Sequence, residues 1–257
     1  MIQTERRKYL IEYLLKERNA QAEIPSDEIS QKRLLRALFN VRMPKTASGE
    51  FKRIQDEYLQ EELRLKGVTD IASLAPAATD IYLWKGDITT LKCDGIVNAA
   101  NSQMLGCFCP NHGCIDNAIH TFAGIGLRQE CAEIMKNQGE EPTGRAKITK
   151  AYNLPCKYIL HTVGPIVYGE LTKQHERGLA DCYRSCLSLA DKYGLQSLAF
   201  CCISTGEFHF PNEKAAEIAV RTVIEYKTHT KSKMKVVFNV FKETDYAIYA
   251  RILGADK

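Results

Sequence analysis

Cysteine and histidine crowd one short stretch of the chain. Gly106-Cys107-Phe108-Cys109-Pro110-Asn111-His112-Gly113-Cys114 holds three thiols and one imidazole. Thiolate and imidazole are the preferred ligands of zinc, and three of them with a fourth position open define a site of the catalytic type. Cys107, His112 and Cys114 read as Cys-x4-His-x-Cys, short enough to close on a single ion. Cys109 competes with Cys107 as first ligand; if both bound, the centre would be closed and structural. Asp116 follows two residues later, where a carboxylate could orient or deprotonate an attacking water. His120, one helical turn after Asp116, and His161, inside an apolar run, read as structural histidines. A Cys-His nucleophile is disfavoured, because nothing supplies an oriented base with a third member.

Three further segments offer polar groups. Gly86-Asp87-Ile88-Thr89 carries a carboxylate on a turn, where it either caps the turn or accepts from an adenine amino group. Val97-Asn98-Ala99-Ala100-Asn101 ends on Asn101, which presents both donor and acceptor. Ser204-Thr205-Gly206-Glu207-Phe208 has the composition of a loop that offers backbone amides to phosphates. It is not a P-loop, since no Gly-Lys-Ser/Thr follows.

These segments need a scaffold, and the hydrophobic pattern supplies one. The apolar runs Ile81–Trp84, Gly95–Ala99, Tyr158–Val163, Ser197–Ile203 and Val236–Phe241 read as buried strands. Helix-like stretches near 115–136, 175–194 and 212–228 separate them. That alternation predicts a mainly parallel or mixed sheet with helices on both faces. Ligands in such sheets bind at the carboxyl ends of strands, where the polar segments fall.

The first 70 residues differ: they hold 26 of the 66 charged residues, two glycines and no cysteine. Tyr9, Leu10, Tyr13 and Leu14, then Leu34, Leu35, Leu38 and Phe39, then Phe51, Ile54, Tyr58, Leu59 and Leu63 recur at helical spacing. Pro25-Ser26-Asp27-Glu28 reads as one helix start and Ser48 as another, with Met43-Pro44 ending the helix between them. We expect a helical cap over 1–75 packed on an α/β unit over 76–257.

Composition excludes several classes. The chain has 257 residues, 45% hydrophobic and 26% charged, with a net charge of +4. It lacks the basic block of a nucleic-acid arm or a membrane anchor, so neither nucleic acid nor membrane is expected as partner. No apolar run approaches the roughly 20 residues of a membrane span. MIQTERRKYL lacks the apolar core of a signal peptide. Ten cysteines then argue for free or metal-bound thiols in a reducing cytoplasm. Cys93, Cys131, Cys156, Cys182, Cys186, Cys201 and Cys202 sit in apolar or helical contexts and read as small buried hydrophobes.

The order of Gly86-Asp87-Ile88-Thr89, Val97 to Asn101, Cys114 to His120, Tyr158 to Pro165 and Ile203 to Gly206 resembles the macrodomain family over about residues 80–253. Glu243-Thr244-Asp245-Tyr246 lies within that resemblance. It implies a three-layer α/β/α fold with a mixed sheet that binds ADP-ribose. By resemblance Asp87 contacts adenine, Ile88 lines its pocket, Ser204, Thr205, Gly206, Glu207 and Phe208 wrap the diphosphate and distal ribose, and Asn101 approaches that ribose. Hydrolytic macrodomains usually carry a glycine-rich stretch where this chain has its cysteines. The departure is similar to the zinc-dependent, MacroD-like subfamily of protein-ADP-ribose hydrolases, which carries a helical N-terminal extension. That likeness, with Pro110 limiting the reach of Cys109, favours Cys107, and it implies Zn(2+) as cofactor.

The expected activity is removal of mono-ADP-ribose from an acidic side chain, with Asp116 and Asn101 as catalytic residues. The subfamily accompanies a sirtuin-type transferase and a lipoate-carrying protein resembling glycine cleavage H, which suggests the modified partner. A non-catalytic ADP-ribose reader and an O-acetyl-ADP-ribose deacetylase are the alternatives.

Overall fold

A computed structural model describes residues 1–255. The last two positions of the 76–257 unit, Asp256 and Lys257, lie outside the described residues. Three helices come first: α1 (Gln3–Glu17), α2 (Glu28–Val41) and α3 (Gly49–Lys66). Asp27 caps α2 by accepting from the Ser30 amide at 2.8 Å. Ser48 caps α3 by accepting from the Phe51 amide at 3.1 Å. Such caps satisfy amides that the first turn leaves orphaned and contribute about 1 kcal/mol each. Leu10, Leu14, Leu35, Phe39, Phe51 and Ile54 form a core of their own, which Ile125 of the following unit helps to close.

The chain then runs β1 (Thr69–Asp70), β2 (Pro76–Ala78), β3 (Ile81–Lys85), β4 (Leu91–Lys92), β5 (Gly95–Ala100), α4 (Ile115–Ala123), α5 (Ile125–Met135), β6 (Ala146–Lys150) and β7 (Tyr158–Val163). It continues with α6 (Lys173–Lys192), β8 (Ser197–Phe200), α7 (Asn212–Thr230), β9 (Lys235–Val240) and α8 (Glu243–Leu253). Seven strands form one mixed sheet in the order β2-β3-β9-β8-β5-β7-β6, while β1 and β4 pair separately. The five central strands are parallel, and β2 and β6 run antiparallel along the two edges. Helices α6, α7 and α8 pack side by side as one layer, while α4 and α5 pack against β5 and β6, with α2 lying on α4. This is the α/β/α arrangement expected from the alternation of strands and helices, with the three N-terminal helices added to it.

Several elements differ from the expectation. The stretch 115–136 is two helices broken at Gly124, whose φ of +91° suits glycine. A Cβ there would also meet the Gln55 amide nitrogen at 2.7 Å, so glycine lets Gln55 of α3 approach the break. The strand from Ser197 ends at Phe200, although Cys201 and Ile203 stay buried as the chain leaves the sheet. The edge strands β2 and β6 are half-exposed and carry little apolar signal. Helix α8 follows directly from the Glu243-Thr244-Asp245 start. Among the described residues no helix is long and apolar enough to cross a membrane. None of the ten cysteines is disulfide-bonded.

Candidate active site and metal centre

Because β3, β9, β8, β5 and β7 run parallel, their carboxyl ends share one edge of the sheet. Asp87 follows β3, Asn101 follows β5, and Ser204 to Phe208 follow β8. The sheet thus gathers along one rim segments that lie far apart in sequence.

Asp87 caps the short turn Ile88–Thr90. Its Oδ1 accepts from the Thr89 amide at 3.0 Å and the Thr89 hydroxyl at 2.6 Å. Lys66, the last residue of α3, donates to Oδ2 at 3.1 Å. Partial burial works against the charged carboxylate, but Thr89 and Lys66 outweigh it and hold the group below the usual range. Ile88 is fully buried in the main core beneath this turn.

The Ser204–Phe208 loop is tied at its base and open at its tip. The Phe210 amide donates to the Ser204 carbonyl at 3.0 Å, and Val167 to the Phe208 carbonyl at 2.9 Å. The amides of Gly206, Glu207 and Phe208 find no acceptor among the described residues. A cluster of unfilled backbone donors ahead of a helix is what an anionic group requires. Ser204 adopts a left-handed conformation, φ +65°. A side chain on Gly164 would meet its hydroxyl at 2.0 Å, so glycine there permits the loop to pass.

The 106–114 loop brings the soft ligands together. The ligating atoms of Cys107, His112 and Cys114 all lie within 4.8 Å of one another. Bonds of about 2.3 Å to sulfur and 2.0 Å to nitrogen, meeting at the tetrahedral angle, place those two donors about 3.5 Å apart. Cys107 Sγ lies 3.6 Å from His112 Nδ1. The residues present therefore fit zinc with one position left open. Cys109 is exposed and outside this set. Cys114 also caps α4, its sulfur accepting from the Asn117 amide at 3.4 Å. Burial, with Cys107 adding to it, pushes the Cys114 thiol up, so binding a cation there requires displacing a proton. His112 Nε2 faces outward, 3.5 Å from Glu207 Oε1, so this loop and the Ser204–Phe208 loop meet.

Asp116, in the first turn of α4, is 4% exposed. Burial pushes its carboxyl up to about 6, against the opposing pull of Asn98 and Arg128. Asn98 Nδ2 donates to its Oδ1 at 2.8 Å, and Asn101 Nδ2 lies 3.5 Å from its Oδ2. Asn101 also donates to the Gly106 carbonyl at 3.2 Å, so it spans the carboxylate and the start of the cysteine loop. His120 Nε2 lies 3.6 Å from Asp116 Oδ1 beneath Gly106. His161 bonds Asn98 through Nδ1 at 3.1 Å and Thr149 through Nε2 at 2.9 Å, as befits a satisfied core group. His120, Cys131 and His161 also cluster, fully buried, but the His161 nitrogens are already engaged.

Sequence reasoning missed two residues here. Asn98 is not among the expected site residues, although an amide inside an apolar strand signals a buried partner. Phe241 falls inside an expected strand but lies just past β9, 77% exposed, and β9 is the strand between those of Asp87 and Ser204.

The Macro domain family profile matches residues 97–219. A protein-ADP-ribose hydrolase of Treponema medium is 59% identical over 99% of this chain and 100% of its own length. One from Staphylococcus aureus strain MSSA476 is 50% identical over 98% of this chain and 96% of its own. Among solved structures, a Trypanosoma brucei macrodomain in complex with ADP-ribose superposes with a TM-score of 0.66. It is 33% identical, over 85% of this chain and 95% of that one.

Proposed function

The chain belongs to the macrodomain family, and from that premise we propose that it is a zinc-dependent hydrolase that removes mono-ADP-ribose from an acidic side chain of a modified protein. One observation carries this reading. The loop holding Cys107, His112 and Cys114 runs directly into the helix that carries Asp116, and it touches the Ser204–Phe208 loop through His112 and Glu207. A metal-type centre, a buried carboxylate and an anion loop then share one rim. The names of the Treponema and Staphylococcus relatives support release of ADP-ribose from protein.

Adenine sits against Asp87, whose carboxylate accepts its amino group, and the exposed face of Phe241 offers it a stacking surface. The open amides of Gly206, Glu207 and Phe208 take the diphosphate. Asn101 holds a distal ribose hydroxyl. Zinc held by Cys107, His112 and Cys114 would supply a Lewis acid with one open position. Asp116 orients a water toward the anomeric carbon and accepts its proton, while the acidic side chain leaves as a carboxylate. Asn98 fixes the Asp116 oxygen that faces inward, which leaves Oδ2 toward Asn101.

The reducing cytoplasm, a sirtuin-type transferase and a lipoate-carrying protein resembling glycine cleavage H complete the proposal, on the strength of the subfamily resemblance. The deciding experiment incubates the protein with an Asp-ADP-ribosylated protein, with and without a chelator, and follows free ADP-ribose. Release that the chelator abolishes supports the proposal. Tight binding with no release makes the chain a reader, and turnover of O-acetyl-ADP-ribose alone makes it a deacetylase.

A further inference from the structure

The 107–114 loop has little to hold it in shape by itself. Its internal ties are the His112 amide to the Cys109 carbonyl at 3.3 Å and the Cys107–His112 contact. Arg128 lies over the Phe108 ring, 4.4 Å from its centre, and His112 meets Glu207, but the loop backbone is also anchored from α2, more than 70 residues earlier. Arg36 Nη2 donates to the carbonyl of His112 at 3.0 Å. The same guanidinium grips Asn117 Oδ1 through Nε at 3.2 Å and Nη2 at 2.9 Å. Asn117 passes that hold back to the loop, since its Nδ2 donates to the Cys109 carbonyl at 2.9 Å and its amide to Cys114 Sγ. One turn along α2, Asn40 Oδ1 accepts from the Asn111 amide at 2.9 Å, and its Nδ2 donates to Thr121 Oγ1 at 2.9 Å. Asn111 is in a left-handed conformation, φ +55°, which asparagine tolerates, and this bond holds its amide there.

Arg36 and Asn40 are four apart and so share one face of α2. Leu35, Leu38 and Phe39 belong to the helical core. Asn40 and Asn117 are 1% and 0% exposed, so each carries hydrogen bonds that water does not replace. Together they brace the loop at Cys109, Asn111, His112 and Cys114, with Cys107 completing the triad.

We propose that Arg36 and Asn40 are positioning residues for the metal centre, and that the N-terminal helices hold its ligand loop in the geometry that binds zinc. The proposal rests on the zinc reading above. Outer partners that orient metal ligands typically change affinity 10–100-fold when they are removed. A loop that must be ordered on binding gives up affinity in the same way.

The test measures zinc affinity of the full chain by competition with a chromophoric chelator, beside the melting temperature of the metal-free protein. Arg36→Met and Asn40→Ala should each weaken zinc binding about 10–100-fold. Arg36→Lys, which keeps the charge and loses the fork, should fall between Arg36→Met and wild type. The metal-free melting temperature of Arg36→Lys should stay at the wild-type value. Wild-type zinc affinity in Arg36→Met and Asn40→Ala overturns the proposal and leaves the zinc reading standing. So does a loss in Arg36→Lys that only tracks a lower metal-free melting temperature. A wild-type chain that binds no zinc removes the zinc reading, and this proposal with it.

Discussion

The side-chain amide of Asn98 reaches Asp116 Oδ1 at 2.8 Å, and the same nitrogen lies 3.1 Å from His161 Nδ1. An amide nitrogen carries two hydrogens, and here both are used, one on each partner. Strand β5 therefore fixes one face of the Asp116 carboxylate and leaves the other for the rim of the sheet.

Asp116→Asn keeps the size of that side chain and still accepts from Asn98, but it cannot take a proton. Zinc content and ADP-ribose affinity should stay at wild-type values while hydrolysis falls by about 10²–10⁴. Stopped assays of ADP-ribose release, beside calorimetry on the same preparation, separate the two effects. Turnover at the wild-type rate would exclude Asp116 as proton acceptor.

Metal content follows from the ligand set. Elemental analysis should find close to one zinc per chain. Cys107→Ser and Cys114→Ser should each strip it, because each removes one of three donors that converge within 4.8 Å. Cys109→Ser should retain it, since that thiol is exposed and apart from the cluster. Release of zinc by Cys109→Ser alone would reverse the assignment. The main apolar core contains none of the three ligands, so metal loss should lower activity far more than melting temperature.

Residue type explains why this centre was legible in sequence. Cys107, His112 and Cys114 sit in one loop, and soft donors carry their chemistry wherever the loop lies. Asp87 and the Ser204–Phe208 loop were legible because the strands before them have strong apolar runs. Asn98 was not, because its meaning depends on Asp116 and His161, 18 and 63 residues away. Arg36 was less legible still: one more arginine on a charged helix, until α2 is laid on α4. The break at Gly124 was hidden because apolar residues continue on both sides of it. What sets the break is the approach of Gln55, which accepts from the Ile125 amide at 2.9 Å.

Asp87→Ala should weaken ADP-ribose binding by about 1–3 kcal/mol in calorimetry, the usual loss when a buried hydrogen-bond partner is stranded. Ribose 5-phosphate, which has no adenine, should bind both proteins alike. An equal loss for both ligands would mean that the substitution disturbs the rim as a whole. No loss for ADP-ribose would remove Asp87 from the adenine site.

The buried histidines make stability depend on pH in a calculable direction. Burial pushes the His161 imidazole from its ordinary 6.5 down to about 3, and His120 is also held well below its ordinary value. In the unfolded chain both take up protons near pH 6.5, while the native protein refuses them. The contribution of His161 to stability is therefore complete above pH 6.5 and is lost as pH falls toward 3, by about 1.4 kcal/mol per pH unit, and that of His120 is lost in the same direction. Asp116 acts oppositely between about 6 and 4, since its raised carboxyl binds a proton in the native state that the unfolded chain releases. Across that window Asp116 offsets the loss from one histidine, and the other leaves a net fall in stability as pH drops. Urea melts at pH 7, 6, 5 and 4 read this slope directly. His161→Gln replaces the imidazole with an amide that can still bond Asn98 and Thr149, and it should flatten the slope by about one proton whatever its effect at pH 7. If the slope survives His161→Gln unchanged, the pH dependence arises outside the Asn98–His161–Thr149 chain.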